Sequence, residues 1–87
     1  MKIGIPSDVV YRNLAGESVL LNIATGNYFG LDAVGTRMWN LLAEHQSTEK
    51  VIEHLLLEYE VSESTLRIDL DGLVTQLQKK GLIRVYD

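Results

Sequence analysis

The residues able to do chemistry are few, and their spacing assembles no catalytic set. His45 and His54 are the two histidines and cysteine is absent, which excludes a thiol nucleophile, a thiolate zinc site and a disulfide framework. Neither histidine belongs to a His-x-x-x-His pair or stands beside a nucleophile motif. Both fall in or just after expected helices and read as ordinary, partly exposed residues, His45 being favoured by the negative end of a helix dipole. Asp69 and Asp71 look like paired carboxylates, but successive helical side chains point about 100° apart, so groups at i and i+2 diverge. They read as solvated or groove-edge charges. Gly26, Gly30 and Gly35 precede a helix, yet their spacing is not the dinucleotide fingerprint and no phosphate-loop lysine follows. No acidic calcium loop is present. The expectation is a protein that is not an enzyme and holds no metal and no cofactor.

A chain of 87 residues has room for one core, so a single domain over residues 1–87 is expected. Hydrophobic residues make up 46% and charged residues 23%, which separates the chain from the disordered class. Without cysteine, without an apolar run behind Lys2 and without a stretch near the roughly 18 apolar residues of a membrane span, a cytoplasmic location is expected, with neither secretion nor membrane insertion. The net charge of −4 argues against nucleic acid, whose phosphates require clustered cations. Lys79, Lys80 and Arg84 do lie close together, as cations favourably placed at the C-terminal end of a helix and in the solvated strand that follows.

The elements that must position any site follow from periodicity. Short apolar runs broken by turn residues place strands at Val9 to Arg12, Ser18 to Ile23 and Asn27 to Leu31. Gly16 and Gly26 lie in the breaks, where hairpin loops need positive φ. Together these runs make an antiparallel meander. In its middle strand Val19, Leu21 and Ile23 share one face while Leu20 is apolar on the other, so both faces are candidates for cover.

Asp32 can cap a helix from Ala33 to about Glu44, where Val34, Met38, Leu41 and Leu42 recur at helical spacing; Trp39 beside them reads as a core anchor. Ser47 caps a second helix, Thr48 to Tyr59, with Ile52, Leu55, Leu56 and Tyr59 as its apolar stripe. Ser62 caps the third and longest, flanked by Val61 and Leu66 at staple positions. Leu66, Leu70, Leu73 and Leu77 form its stripe and Gly81 its stop. Gly72 inside that helix fits an exposed face somewhat better than close approach of another backbone. Leu82 to Tyr86 is suited to a short final strand or wing.

The run from Val19 through Gly26-Asn27-Tyr28-Phe29-Gly30-Leu31-Asp32 to Gly35 and Trp39 resembles the opening of the PqqD-like family, which includes pyrroloquinoline-quinone biosynthesis chaperones and leader-recognition elements of peptide-modifying systems. The likeness extends over nearly the whole chain. It implies an α+β, winged helix-turn-helix-like fold, a three-stranded antiparallel meander followed by three helices. It also implies non-catalytic binding of the unstructured leader of a ribosomally made precursor peptide as an added strand. By that resemblance the accepting edge is Asn27, Tyr28, Phe29, Gly30 and Leu31, and the third helix forms the other wall. Leu70 and Val74 would be apolar floor, and Arg67 and Asp71, about 20° and 60° from Val74 around the helix, would meet polar leader side chains. The sequence does not fix which flank of that helix faces the groove. A free-standing domain of this size looks most like the recognition component of split lasso-peptide biosynthesis, serving a separate leader peptidase and a macrocyclase. A pyrroloquinoline-quinone precursor chaperone is the near alternative.

Two readings from other classes compete. Three helices and a wing are also the layout of DNA-binding regulators, but Glu63, Asp69 and Asp71 offset Arg67, Lys79 and Lys80 on the would-be recognition helix. A dimerising adaptor would use the same edge strand for self-pairing.

Overall fold

Three short side chains start the three helices. Asp32 accepts from the Gly35 N–H at 2.8 Å at the head of α1 (Ala33–His45). Ser47 does so more loosely from Lys50 N–H at 3.4 Å at the head of α2 (Thr48–Glu58), and Ser62 from Thr65 N–H at 3.2 Å at the head of α3 (Glu63–Lys79). Each cap satisfies a backbone donor that the first helical turn leaves free. The computed structural model describes residues 1–86. Its strands are β1 (Lys2–Gly4), β2 (Val9–Leu14), β3 (Glu17–Asn22), β4 (Tyr28–Leu31) and β5 (Arg84–Tyr86). The fold is α+β: a three-stranded antiparallel sheet in the order β2-β3-β4, then three helices, with a second, two-stranded sheet β1-β5.

Several boundaries differ from the sequence reading. The first hairpin loop is only Ala15-Gly16, because Leu14 already pairs with Glu17. Both loop residues have positive φ, 53° and 83°, as a two-residue hairpin matching the twist of its strands requires. Helix α2 stops at Glu58, and Tyr59 is an extended cap residue, 37% exposed. The buried residues of α2 are Thr48, Val51, Ile52 and Leu55, so Leu56 and Tyr59 lie at the margin of the core. The final strand pairs with an N-terminal one that periodicity did not reveal, through Lys2↔Tyr86, Ile3↔Val85 and Gly4↔Arg84. Three residues are too few to establish a period of two.

The core face of β3 is the more polar one. Leu20 is fully buried, and Ser18 and Asn22 beside it are also buried, whereas Val19 and Ile23 are exposed and Leu21 is half-buried. Buried polar groups must find partners. The hydroxyls of Ser18 and Thr36 meet at 2.8 Å, joining β3 to α1. One hydrophobic cluster then runs from Leu20 and Leu31 through Met38, Trp39 and Leu42, Val51 and Leu55, to Leu66, Leu70, Val74 and Leu77. Trp39 is fully buried, as the sequence reading expected of a core anchor. His45 and His54 are half-buried and stack with centroids 4.4 Å apart where α1 meets α2.

A Cβ at Gly72 would meet nothing within 4 Å, so the open-face reading of this helical glycine holds. Gly72→Ala is therefore expected to stabilise the fold by about 1 kcal/mol through helix propensity and a less flexible unfolded chain. A higher urea midpoint with an unchanged denaturant slope would show it.

Arg37 of α1 donates to Glu58 of α2 through Nε at 2.8 Å and through Nη2. These hydrogen bonds hold the Glu58 carboxyl below its usual range against a smaller opposing desolvation. A depressed carboxylate contributes stability above its unfolded value, near pH 4.3, and loses it as pH falls through the lower folded value. Both side chains are about a third or more exposed, so the contribution is discounted to roughly 0.5 kcal/mol or less. Glu58→Gln should be slightly less stable at pH 7 and should lose less stability between pH 5 and pH 3, as thermal melts across that range would register.

Candidate functional site

Strand β4 lies at the edge of its sheet, and the register says which of its backbone groups are free. Antiparallel pairs alternate between hydrogen-bonded and non-hydrogen-bonded. Asn22 N–H donates to Asn27 C=O at 2.9 Å. Leu20↔Phe29 and Ser18↔Leu31 are therefore the bonded pairs, and Leu21↔Tyr28 and Val19↔Gly30 the others. The N–H and C=O of Tyr28 and of Gly30 point away from β3, toward the open edge.

A depression flanks that edge on each side. On the helical side a cleft of about 460 Å³ is lined by Phe29, Gly30, Leu31 and Asp32, by Val34, Gly35 and Met38 of α1, and by Asp69 and Leu73 of α3. On the outer face a second, of about 400 Å³, runs over Leu14, Val19 and Gly30 between Arg12, Glu17 and Asp32. A Cβ on Gly30 would meet nothing within 4 Å, so the edge is uncrowded there. A Cβ on Gly35 would come within 3.1 Å of Leu31 and 3.2 Å of Asp32. Its absence lets α1 begin close against the end of β4.

The far end of the cleft is held by two asparagines. The buried Asn22 side chain accepts from Ala24 and Thr25 N–H at 2.9 and 3.2 Å and donates to Gly81 C=O at 2.8 Å. The Asn27 amide donates to Lys80 C=O at 3.2 Å. The turn leading into β4 is thus fastened to the end of α3, and Lys80 Nζ stands 6.0 Å above the Phe29 ring. Asn22→Ala removes three hydrogen bonds and leaves the Ala24 and Thr25 N–H and the Gly81 C=O without that partner, an expected loss of about 1 to 2 kcal/mol. A lowered urea midpoint would confirm it, and the loosened strand should also broaden Tyr28 to Leu31 amide exchange.

Helix α3 presents one of its two flanks to this cleft. Measured around the helix from Leu70, Asp69 and Leu73 lie about 100° and 60° to one side, and Arg67 and Asp71 about 60° and 100° to the other. The cleft takes the first side. Phe29, Gly30 and Leu31 line it and Tyr28 precedes them in β4, while Asn27 stands just before the strand. Arg67, Leu70, Asp71 and Val74 do not line it. Leu70 and Val74 are core residues, 1% and 3% exposed. Arg67 faces α2, donating to Glu63 at 2.8 Å and Glu49 at 3.1 Å, and holds the Glu49 carboxyl below its usual range. Asp71 is exposed on the same far flank. Leu73, Asp69, Val34 and Met38 are the cleft residues that sequence reasoning missed as such, and Lys80 stands beyond this lining, over Phe29. Of the acid pair read as solvated or groove-edge charges, Asp69 lines the cleft and Asp71 does not.

The family description of coenzyme PQQ synthesis protein D (PqqD) matches residues 17–83. The chain belongs to the PqqD family. The matched span contains β3, β4 and all three helices, hence every element of the cleft in this PqqD-family domain. Two solved structures align with it along almost its whole length. One is TbiB1 in complex with the TbiA(beta) leader peptide, at 39% identity over 97% of this chain and 98% of that one, with a TM-score of 0.89. The other is lasso peptide synthetase B1 complexed with the leader peptide, at 24% identity over 98% and 100%, with a TM-score of 0.84, a likeness of fold alone. No curated protein sequence matches the chain. Among the described residues of this PqqD-family domain, no group of three metal-ligating side chains converges, and no helix is long and apolar enough to cross a membrane.

Proposed function

We propose that this protein binds the leader of a ribosomally synthesised precursor peptide, without catalysis, by adding it as a strand to β4 within the cleft between β4 and α3. The observation that carries this reading is the open edge at Tyr28 and Gly30, whose free backbone groups lie beside a depression lined by both apolar and polar groups of β4, α1 and α3. An edge of this kind gives affinity through main-chain bonds and selectivity through alternate side chains. The 39% identical relative solved with a leader peptide supports it. The partners we propose downstream are a separate leader peptidase and a macrocyclase, as in lasso-peptide biosynthesis. Holding the leader would raise the effective concentration of the precursor near them, which needs no catalytic residue here. A regulator's recognition helix is disfavoured because Arg67 is already paired with two carboxylates.

Fluorescence anisotropy with labelled leaders from short precursor-like reading frames beside the gene tests the proposal, with a scrambled leader and duplex DNA as controls. Saturable binding of one leader, with every second residue sensitive to backbone N-methylation, is expected. Absence of leader binding together with salt-sensitive DNA binding would overturn it. The family description favours one second reading, in which the precursor is that of pyrroloquinoline quinone; that precursor's leader belongs in the same titration.

A further inference from the structure

The charges around the cleft are segregated by sign along its length. At the end where β4 runs into α1, the lining includes the carboxylates of Asp32 and Asp69 and no cation. At the other end Lys80 stands over Phe29, with Lys79 adjacent in the chain. The apolar stretch between is supplied by Phe29, Leu73 and Met38. Strand β4 and helix α3 run in opposite directions along this cleft, since Phe29 lies by Lys80 and the later residue Asp32 by Asp69. The segregation is therefore a property of the packed pair of elements; neither Asp69 nor Lys80 stands out from its neighbours in sequence. Among the described residues, no salt bridge engages Asp32, Asp69 or Lys80, whereas Arg37, Glu49, Glu58, Glu63 and Arg67 are all paired within the helical layer. Asp32 caps α1 through Oδ1 alone.

We infer that the cleft selects its leader by charge order: a basic side chain seated against Asp32 and Asp69, an acidic one against Lys80, and apolar residues between. This rests on the strand-addition reading and gives it a substrate class. The two ends lie about 10 Å apart along β4 and about 16 Å apart along α3, which corresponds to about three to five residues of extended peptide. A neutral leader of the same shape would still pair with the Tyr28 and Gly30 backbone, so charge order adds discrimination to an affinity that the main chain supplies.

The test uses the fluorescein-labelled leader of the precursor encoded beside the gene and a version in which all its Lys, Arg, Asp and Glu residues are Gln. A single Lys, then a single Glu, is walked along the neutral version at low salt. One Lys position and one Glu position, about three to five residues apart, should each tighten binding by about threefold to fivefold. Screening in 0.5 M salt should erase both gains. Asp32→Asn with Asp69→Asn should abolish the Lys optimum and leave the Glu optimum. Asparagine keeps the cap acceptor of α1, so this pair preserves the fold. Lys80→Gln should do the reverse. Either order of the optima supports the inference, basic-first marking antiparallel addition to β4 and acid-first parallel addition. A flat scan, or optima indifferent to these variants, would overturn charge selection while leaving leader binding intact. Failure of the natural leader itself to bind would overturn the strand-addition reading and this inference with it.

Discussion

Gly30→Pro is expected to weaken leader binding by about a hundredfold while the domain stays folded, since it removes one strand bond and strands the leader carbonyl that would accept it. Gly30 is the position in β4 where proline separates the two properties. Its N–H points to the open edge and takes no part in the ladder with β3, so the existing sheet loses no bond. The ring also places carbon where an incoming strand would lie. Phe29→Pro, one residue earlier, would instead remove a bond of the Leu20↔Phe29 pair and damage the fold. Gly30→Ala is the matching control: its Cβ meets nothing within 4 Å and its N–H is retained, so leader affinity should change little. Anisotropy titration of the three proteins, with circular dichroism for folding, makes the comparison. A folded Gly30→Pro protein that binds like the parent would exclude addition at β4 and turn attention to the other free edge, where Val9, Tyr11 and Asn13 have the outward groups.

Trp39→Ala is expected to cost about 3 to 5 kcal/mol, a large part of the total stability of a domain this size. Trp39 is fully buried in the middle of the cluster that joins sheet to helices. Tyr11 meets it edge-on, with centroids 5.2 Å apart and planes at 79°, a geometry the aromatic quadrupoles favour. Among the described residues no protein acceptor reaches its Nε1. Trp39→Phe then loses volume and little polar interaction, and should cost about 1 to 2 kcal/mol. Trp39 is the one tryptophan, so urea denaturation of these variants has to be followed by circular dichroism. Equal losses for the two variants would mean that the indole N–H, rather than packing, is what the core requires.

Local rules made much of the fold legible. The caps Asp32, Ser47 and Ser62 act within three residues of themselves, and the Ala15-Gly16 and Gly26 turns and the Gly81 stop depend on their own φ. For such features the stabilising partner is written beside the residue. Strand β4 was legible too, because the resemblance ran through its own residues.

The flank of α3 that lines the cleft was not legible because the stripe Leu66, Leu70, Leu73 and Leu77 leaves two candidate shoulders of similar polarity. A shift of about 60° in how the helix seats decides whether Leu73 or Val74 joins the core. The face of β3 was ambiguous for a related reason. Counting apolar residues favours Val19, Leu21 and Ile23, yet that face is the outward one.

By itself the sequence determined where helices begin, where the chain turns, that Trp39 lies inside, and which family the domain resembles. Only the tertiary structure decided which side of β3 is core, that β1 pairs with β5, and that Asp69, Leu73 and Lys80 face β4. The physical reason is distance along the chain. Ser18 becomes a core residue because Thr36 is there to share a hydrogen bond, and Asn22 because Gly81, 59 residues away, accepts from it. A polar side chain is buried only where its partner already stands, and no local pattern announces a partner brought from the other end of the chain.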